Sequence, residues 1–543
     1  MYKLSSLVLL GAILFAPASA QPAKAKVAAL PSGNVEDITA QQLKAYLTFI
    51  ASDEMGGRDT PSKGLDITAK FIATMLSRWG VQPGGENGTY FQKIVLQRSQ
   101  LEAEKTFVNI NGQQFKYGED FLVSANTPLR TVTGNCVFVG HGYVLKSKNI
   151  NAYQTAAGPV EVKDKIVIVG GALPKGVSAQ DISGRDNFQD AAEYAARHGA
   201  KAIIRLPNYL ALANWKAYQS GALQRKALEP LSTETNPRLP EITVSVPMLS
   251  SLLAGEKASG SLLYNAVSGG ETIEPFELSK QITLTLGGVA EQIPTQNVIG
   301  ILPGSDPILK NEYLAIGAHY DHVGIGAPDA KGDTIYNGAD DDGSGTTAVL
   351  ALAETFAKGP RPKRSILFIW HCGEEKGLWG SEYFTSHPTV DLKQVITQLN
   401  IDMIGRSKNE GDTNPRNREL SGPNEIYIIG SKMMSTELGA LSERVNSGFL
   451  KLEFNYKYDD PRDPNHFFNR SDHFNYAIKG VPIIFYFDGE HEDYHRPSDQ
   501  VEKIDFQKME KVTRTVYATA WELSNSATRP KVDKKLPPEL SGN

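Results

Sequence analysis

The chain has 543 residues, more than one hydrophobic core normally organises, so two folding units are expected. With 41% hydrophobic and 22% charged residues it has the balance of a globular protein, and a net charge of -5 leaves no electrostatic basis for nucleic acid as a partner. Two cysteines, Cys136 and Cys372, exclude a disulfide-built scaffold; each lies in an apolar strand-like run, which predicts two free, buried thiols.

Residues 1–20 have the pattern of an export signal: Lys3, an apolar run at 7–15, then Ala18, Ser19 and Ala20 as a cleavage site. That run is too short to span a bilayer and no later one is long and apolar enough. The expectation is an exported protein, periplasmic or secreted, with no membrane span once mature. Residues 21–35 are rich in Ala, Pro and Lys and read as a disordered linker. Residues 39–51 carry Leu43, Leu47 and Ile50 at helical spacing behind Thr39 as N-cap. After the turn SDEMGGRDTPS, a second helix places Leu65, Ala69, Ile72 and Leu76 on one face and stops at Gly80. Residues 90–96 and 106–110 alternate like strands.

Near residue 130 the texture shifts to short strands with one helix at 190–198. Residues 129–275 are therefore read as a smaller, β-rich domain inserted into a larger one made of 36–128 and 276–527, with a C-terminal tail at 528–543. From Gln296 onward strands and helices alternate, the pattern of a mostly parallel sheet covered on both faces. The predicted strands are 297–302, 313–318, 365–370, 396–401, 425–429 and 481–487. Helices are predicted from Ser344 to a Gly359-Pro360 stop and over 506–523. Ligands of such sheets bind beyond the carboxyl ends of the strands.

The chemistry-bearing residues fall at those ends. His319 closes one strand, with Asp321 two residues on. A glycine-rich loop then reaches Asp340, Asp341 and Asp342, and Gly343 and Ser344 open a helix. Three adjacent carboxylates raise each other's pKa unless positive charge sits among them. Imidazole and carboxylate without thiolate suit a zinc-like divalent ion. An EF-hand reading fails, because aligning Gly343 to the invariant glycine puts Gly338 and Val349 where acids are required. Glu374 and Glu375 follow another strand; being consecutive, their side chains diverge, so one can ligate a metal while the other faces water. Asp402 ends a third strand, where an unpartnered carboxylate costs several kcal/mol. The stretch FDGEHEDYHRPSD contains H-E-x-x-H at His491, Glu492 and His495. That motif requires a helix, and the strand end at Phe487, Gly489 and Pro497 leave no room for one. His495, between Tyr494 and Asp499, is then the ligand candidate and His491 a surface residue. Asp472 and His473 read either as supports behind the site or as a cap and a packed ring.

The motifs GAHYDHVG, NGADDDGSG, GEEKGLWGS, LNIDMIG and YHRPSD stand in the order and strand context of the co-catalytic di-zinc aminopeptidase family, which this chain closely resembles. That family takes in bacterial secreted aminopeptidases, glutamate carboxypeptidase II, the transferrin receptor and glutaminyl cyclases. The likeness is strong over residues 295–525 and weak over 36–125, and the inserted segment looks like a protease-associated domain. The resemblance implies a zinc exopeptidase fold (α/β, a mostly parallel mixed sheet between helices) and an exported exopeptidase, foremost an aminopeptidase, acting on peptides. It implies two zinc ions bridged by Asp341, with His319 and Asp402 completing one and Glu375 and His495 the other. Glu374 would be the general base, Asp321 would orient His319 and Tyr494 would help hold the oxyanion. A cis peptide between Asp341 and Asp342 is also implied. The same fold carries glutaminyl cyclases, which typically use one zinc, and carboxypeptidases, which need a cation such as Arg406 or Arg462 for the substrate carboxylate. A binding module with a decayed metal site is disfavoured, because no ligand is missing. The motifs do not encode an oligomeric state.

Overall fold

The computed structural model describes residues 34–540 apart from 125–126, 171, 179–180, 183–186, 225, 232–237 and 538–539. The segment read as an export signal, 1–20, and nearly all of the segment read as a linker, 21–35, lie outside the described residues. Val35 is already 7% exposed and packed in the core.

The larger sheet is mixed. In spatial order its strands are Lys226–Pro230, Phe91–Leu101, Gly288–Leu302, Ser365–His371, Tyr313–His319, Val395–Ile401, Ile483–Phe487, Glu425–Ile429 and Glu453–Asn455. The four central strands, from Ser365–His371 to Ile483–Phe487, run parallel. They are near-continuous apolar runs because both faces are covered. Alternation along Ser365–His371 shows this: Ile366, Phe368 and Trp370 enter one core, Leu367 and Ile369 the other. The helices Ala40–Ile50, Lys63–Arg78, Gly343–Lys358 and Phe506–Asn525 supply the first core. Trp379–Ser386 and His473–Ile478 contribute to the second through Phe384, Tyr476 and Ala477.

The helix caps follow the sequence. Thr39 accepts the Gln42 N–H and starts the first helix, whose Leu43, Leu47 and Ile50 are fully buried. Gly343–Lys358 is buried on nearly all sides down to Phe356. Its first turn must be small: a Cβ on Gly345 would lie 2.1 Å from the Ile401 carbonyl oxygen.

The strand predicted at 297–302 is the inner end of a longer one. Gly288–Leu302 pairs with Phe91–Leu101 in one antiparallel ribbon, from Val298 opposite Phe91 to Gly288 opposite Leu101. Its outer half is polar, so no apolar run marks it. This ribbon carries the chain into and out of a second, eight-stranded sheet, which spans Phe107–Ile110 to Phe276–Thr285 and has its own core. The second unit therefore includes residues 107–123 and 276–285, which the boundaries at 129 and 275 assign to the first. Lys226–Pro230, conversely, leaves the second unit to pair with Phe91–Leu101 at the edge of the large sheet. At the other end, Leu540 is buried and Leu536 packs against the second core, so these two residues of the C-terminal tail lie on the protein. Cys136 and Cys372 are both free and buried. Among the described residues no helix is long and apolar enough to cross a membrane.

Candidate metal centre

The parallel strands bring their carboxyl ends to one edge. His319 is the last residue of its strand and lies in register with His371 on the next. Glu374 and Glu375 follow His371, Asp402 follows Ile401, and His495 lies beyond Phe487. Asp341 precedes the N-terminus of Gly343–Lys358, and its peptide bond to Asp342 is cis.

These side chains converge in two groups of potential ligands, His322 with Asp341, Glu375 and His495, and His319 with Glu374 and Asp402. Asp341 faces both: its Oδ1 lies 3.3 Å from His319 Nε2 and its Oδ2 3.0 Å from His495 Nε2. Asp402 Oδ1 is 3.6 Å from His319 Nε2, and Glu375 Oε2 is 3.0 Å from His495 Nε2. Glu374 is more distant, at 3.9 Å from His319 Nε2. On distance, Asp341 is thus a nearer partner of His319 than Glu374 is. Asp402 is fixed from behind, its Oδ2 accepting the Ser471 hydroxyl at 2.6 Å.

The three consecutive aspartates divide the work by pointing three ways. Asp342 accepts the backbone N–H groups of Gly345, His319 and Met403, capping the helix and tying two strand ends to it. Asp340 accepts the Gly405 N–H at 2.7 Å and turns its other oxygen to His491. Only Asp341 enters the site.

Asp321 stands beside His319, but its carboxylate is 3.6 Å from Nδ1, while its backbone carbonyl is 3.2 Å away. The carboxylate instead accepts the Thr60 hydroxyl at 3.0 Å and the Glu374 N–H at 3.2 Å, so it also holds the loop of the candidate base. Tyr494 lines the same cavity, its ring stacked 3.9 Å from His495 and its hydroxyl 3.3 Å from Arg470 Nη2.

Some expectations are corrected. Residues 492–495 form turns rather than a helix, as expected, but His491 is 3% exposed and not on the surface. Its Nδ1 is 3.3 Å from Arg406 Nη1 and its Nε2 is 3.3 Å from Asp340 Oδ2. A Cβ on Gly489, at φ 102°, would lie 2.0 Å from the Glu419 carbonyl oxygen, so only glycine lets the chain pass this close just before His491. Arg406 is likewise committed, donating to Asp493 at 2.9 Å, and Arg462 pairs with Asp460 at an exposed position. The cation that lines the cavity is Arg470, bound to Glu490 at 2.7 Å. His473 is a packed ring, stacked 4.4 Å from Phe485. Asp472 caps nothing; burial raises its carboxyl to about 7.

Two residues escaped the sequence reading. Arg58 is fully buried and donates to the carbonyls of Ile50, Tyr320, Asn337 and Gly338, binding the first helix to both loops that frame the site. His322 is fully buried beside Glu375. Arg58 sat in a glycine-rich turn without periodicity, and His322 in a polar loop whose bend no local signal specifies.

The electrostatics describe a site short of positive charge. Burial opposes charge on His319, yet Asp402, Glu374, Asp321 and Asp341 raise it well above its ordinary value. Burial also opposes charge on His495, which Asp341 and Glu375 raise to about 10. Against the cost of burial, His322, His319 and His495 hold Asp341 well below the usual carboxylate range. Burial, with Glu375 and Asp402, pushes Glu374 well up despite the pull of His319. Buried Asp341 Oδ2, Glu375 Oε1, His495 Nε2 and both ring nitrogens of His322 have no hydrogen-bond partner. Unpartnered buried nitrogens and oxygens converging this way, with no sulfur among them, fit divalent metal ions of the zinc class.

Residues 297–520, which contain every member of both ligand groups, match the sequence profile of Peptidase family M28. The matched segment is less than half of the chain. Over 269 residues the chain is 26% identical to Aminopeptidase YwaD of Bacillus subtilis (strain 168), a match covering 48% of this chain and 52% of that protein. Over 276 residues it is 25% identical to a probable leucine aminopeptidase of Arthroderma benhamiae, covering 48% of this chain and 68% of the relative. The chain thus spans about half the length of the Bacillus relative. Among solved structures it is similar to an aminopeptidase from Aneurinibacillus sp. strain AM-1, with 17% identity, a TM-score of 0.48, and coverage of 92% of this chain and 98% of that one. The M28 segment coincides with the part of the large sheet whose strand ends build the site, and the second sheet lies outside it.

Proposed function

We propose that the chain is an exported M28 aminopeptidase that uses two zinc ions. The observation that carries this reading is the position of Asp341, whose two oxygens face two separate sets of nitrogen and oxygen ligands. His319, Asp341 and Asp402 would hold one ion, and Asp341, Glu375 and His495 the other. When bound, the ions supply Lewis acidity to the scissile carbonyl and to the attacking water.

The chain's own residues do the rest. Glu374 takes the water's proton and delivers it to the leaving amine. Burial is the largest influence on its carboxyl and raises its proton affinity, as a group that must accept and then donate requires. Its backbone N–H is held by Asp321, which limits drift of the carboxylate. Burial, then Asp341 and Glu375, push the Tyr494 hydroxyl up, so it stays protonated and can donate to the developing oxyanion.

The cavity wall of Met403, Phe467, Phe485 and Phe487 favours an apolar first residue. Carboxypeptidase action would require a cation free for the substrate carboxylate, and Arg470 is already paired with Glu490. A panel of peptides with free and acetylated amino termini, assayed with zinc, tests the assignment. Release of apolar first residues from the free peptides alone is expected. No release from either set would refute it, and cyclisation of an N-terminal glutamine would assign the chain to the cyclase reaction instead.

A further inference from the structure

We infer that His322 is a direct ligand of the ion held by Asp341, Glu375 and His495, so that this position has four protein ligands and its neighbour three. The inference rests on the two-ion reading above and adds a residue to it.

His322 stands three residues after His319, and its ring is fully buried. Nδ1 lies 2.7 Å from Glu375 Oε1 and 3.7 Å from Asp341 Oδ2. The ring stands edge-on to His495 at 5.5 Å. Despite the approach to Glu375, neither ring nitrogen has a hydrogen-bond partner. A buried imidazole left in that state costs free energy that a metal bond would recover. Its Nδ1 joins the same compact ligand group as Asp341, Glu375 and His495.

The surroundings hold the ring in this pose. A Cβ on Gly338, at φ 54°, would lie 2.5 Å from His322 Cγ, so only glycine lets the chain pass this close. The Gly338 carbonyl is held by Arg58 at 2.9 Å, and the His322 N–H donates to the Arg58 carbonyl at 3.2 Å. One buried arginine thus fixes both the ring and the surface it leans on.

The consequence is an asymmetric pair. Four protein ligands close a zinc position, whereas three leave room for a reacting group. The ion beside His322 is then the tightly held one, and the position at His319 and Asp402 is the open one.

The test is a zinc-loaded crystal of the full chain with anomalous scattering measured at the zinc edge. A peak at about 2.0–2.1 Å from His322 Nδ1, the usual Zn–N bond, is expected. A peak ligated by Asp341, Glu375 and His495 with Nδ1 beyond about 3 Å would overturn the inference and leave the two-ion reading standing. No peak at these residues would overturn both. In solution, chelator competition on His322→Ala should show the tighter zinc equivalent weakened by more than about 100-fold, beyond the loss typical of a residue that only supports a ligand. An unchanged tight equivalent would overturn it. The crystallographic measurement decides alone if that variant does not fold.

Discussion

Asp499 supports Asp341 from below: its Oδ2 accepts the Asp341 backbone N–H at 3.2 Å and that of Asp340 at 3.0 Å. Arg406 Nη1 lies 3.8 Å from the other oxygen. The carboxylate that faces both ligand groups is therefore aimed by a second carboxylate that belongs to neither. Asp499→Ala should weaken zinc binding by about 10–100-fold, as loss of a group behind a ligand does. Circular dichroism should show the fold retained, and chelator competition reads the affinity. Native affinity in the variant would mean the loop holds its shape unaided.

Arg58 makes a parallel prediction for stability. Its guanidinium serves four buried carbonyls, from Ile50, Tyr320, Asn337 and Gly338. Arg58→Met keeps the length of the side chain and leaves those acceptors empty. Urea unfolding should show a loss of about 4 kcal/mol or more, at about 1–3 kcal/mol for each buried carbonyl left unsatisfied. A loss below about 1 kcal/mol would show that water replaces the guanidinium at little cost.

Glu374→Gln preserves shape and removes the proton acceptor. Turnover should fall by about 10²–10⁴-fold, the usual contribution of a general base. Zinc content should stay at the wild-type level, because Glu374 lies farther from His319 Nε2, at 3.9 Å, than Asp341 or Asp402 does. Loss of one zinc equivalent in this variant would make Glu374 a ligand instead.

His473 should limit stability in acid. Burial lowers its pKa from 6.5 to about 3, and its ring stacks on Phe485. Above pH 6.5 the ring is neutral in both folded and unfolded chains and contributes nothing to the pH dependence. Below that value the unfolded chain takes up a proton that the folded chain refuses, so stability falls as pH drops toward 3. His473→Phe keeps the stacking and removes this uptake. At pH 5 its stability relative to wild type should be about 2 kcal/mol better than the same comparison at pH 8. Denaturant midpoints at the two pH values check this, and parallel pH profiles would contradict it.

The parallel strands were legible because burial on both faces forces continuous apolar runs. The four central strands differ from their predicted bounds by one or two residues, and Glu425–Ile429 beside them matches its own. His319, Glu374, Glu375 and Asp402 were legible for a related reason, each standing at or just past the end of such a run, and Asp341 because it stands just ahead of a helix. What the sequence hid depends on how loops bend. The polar half of Gly288–Leu302 has no apolar run to announce it, so the second unit was bounded too narrowly. His491 was misplaced because its burial comes from Asp340 and Arg406, far away in sequence. Arg58 and His322 were missed for the same reason: each is defined by partners on another loop.

Zinc titration of the metal-free protein, followed by release of an apolar first residue from an unblocked peptide, tests the central claim most directly. The account predicts that activity rises until about two equivalents are bound and that acetylated peptides remain intact. Full peptide hydrolysis at one equivalent, with no second ion taken up, would contradict it.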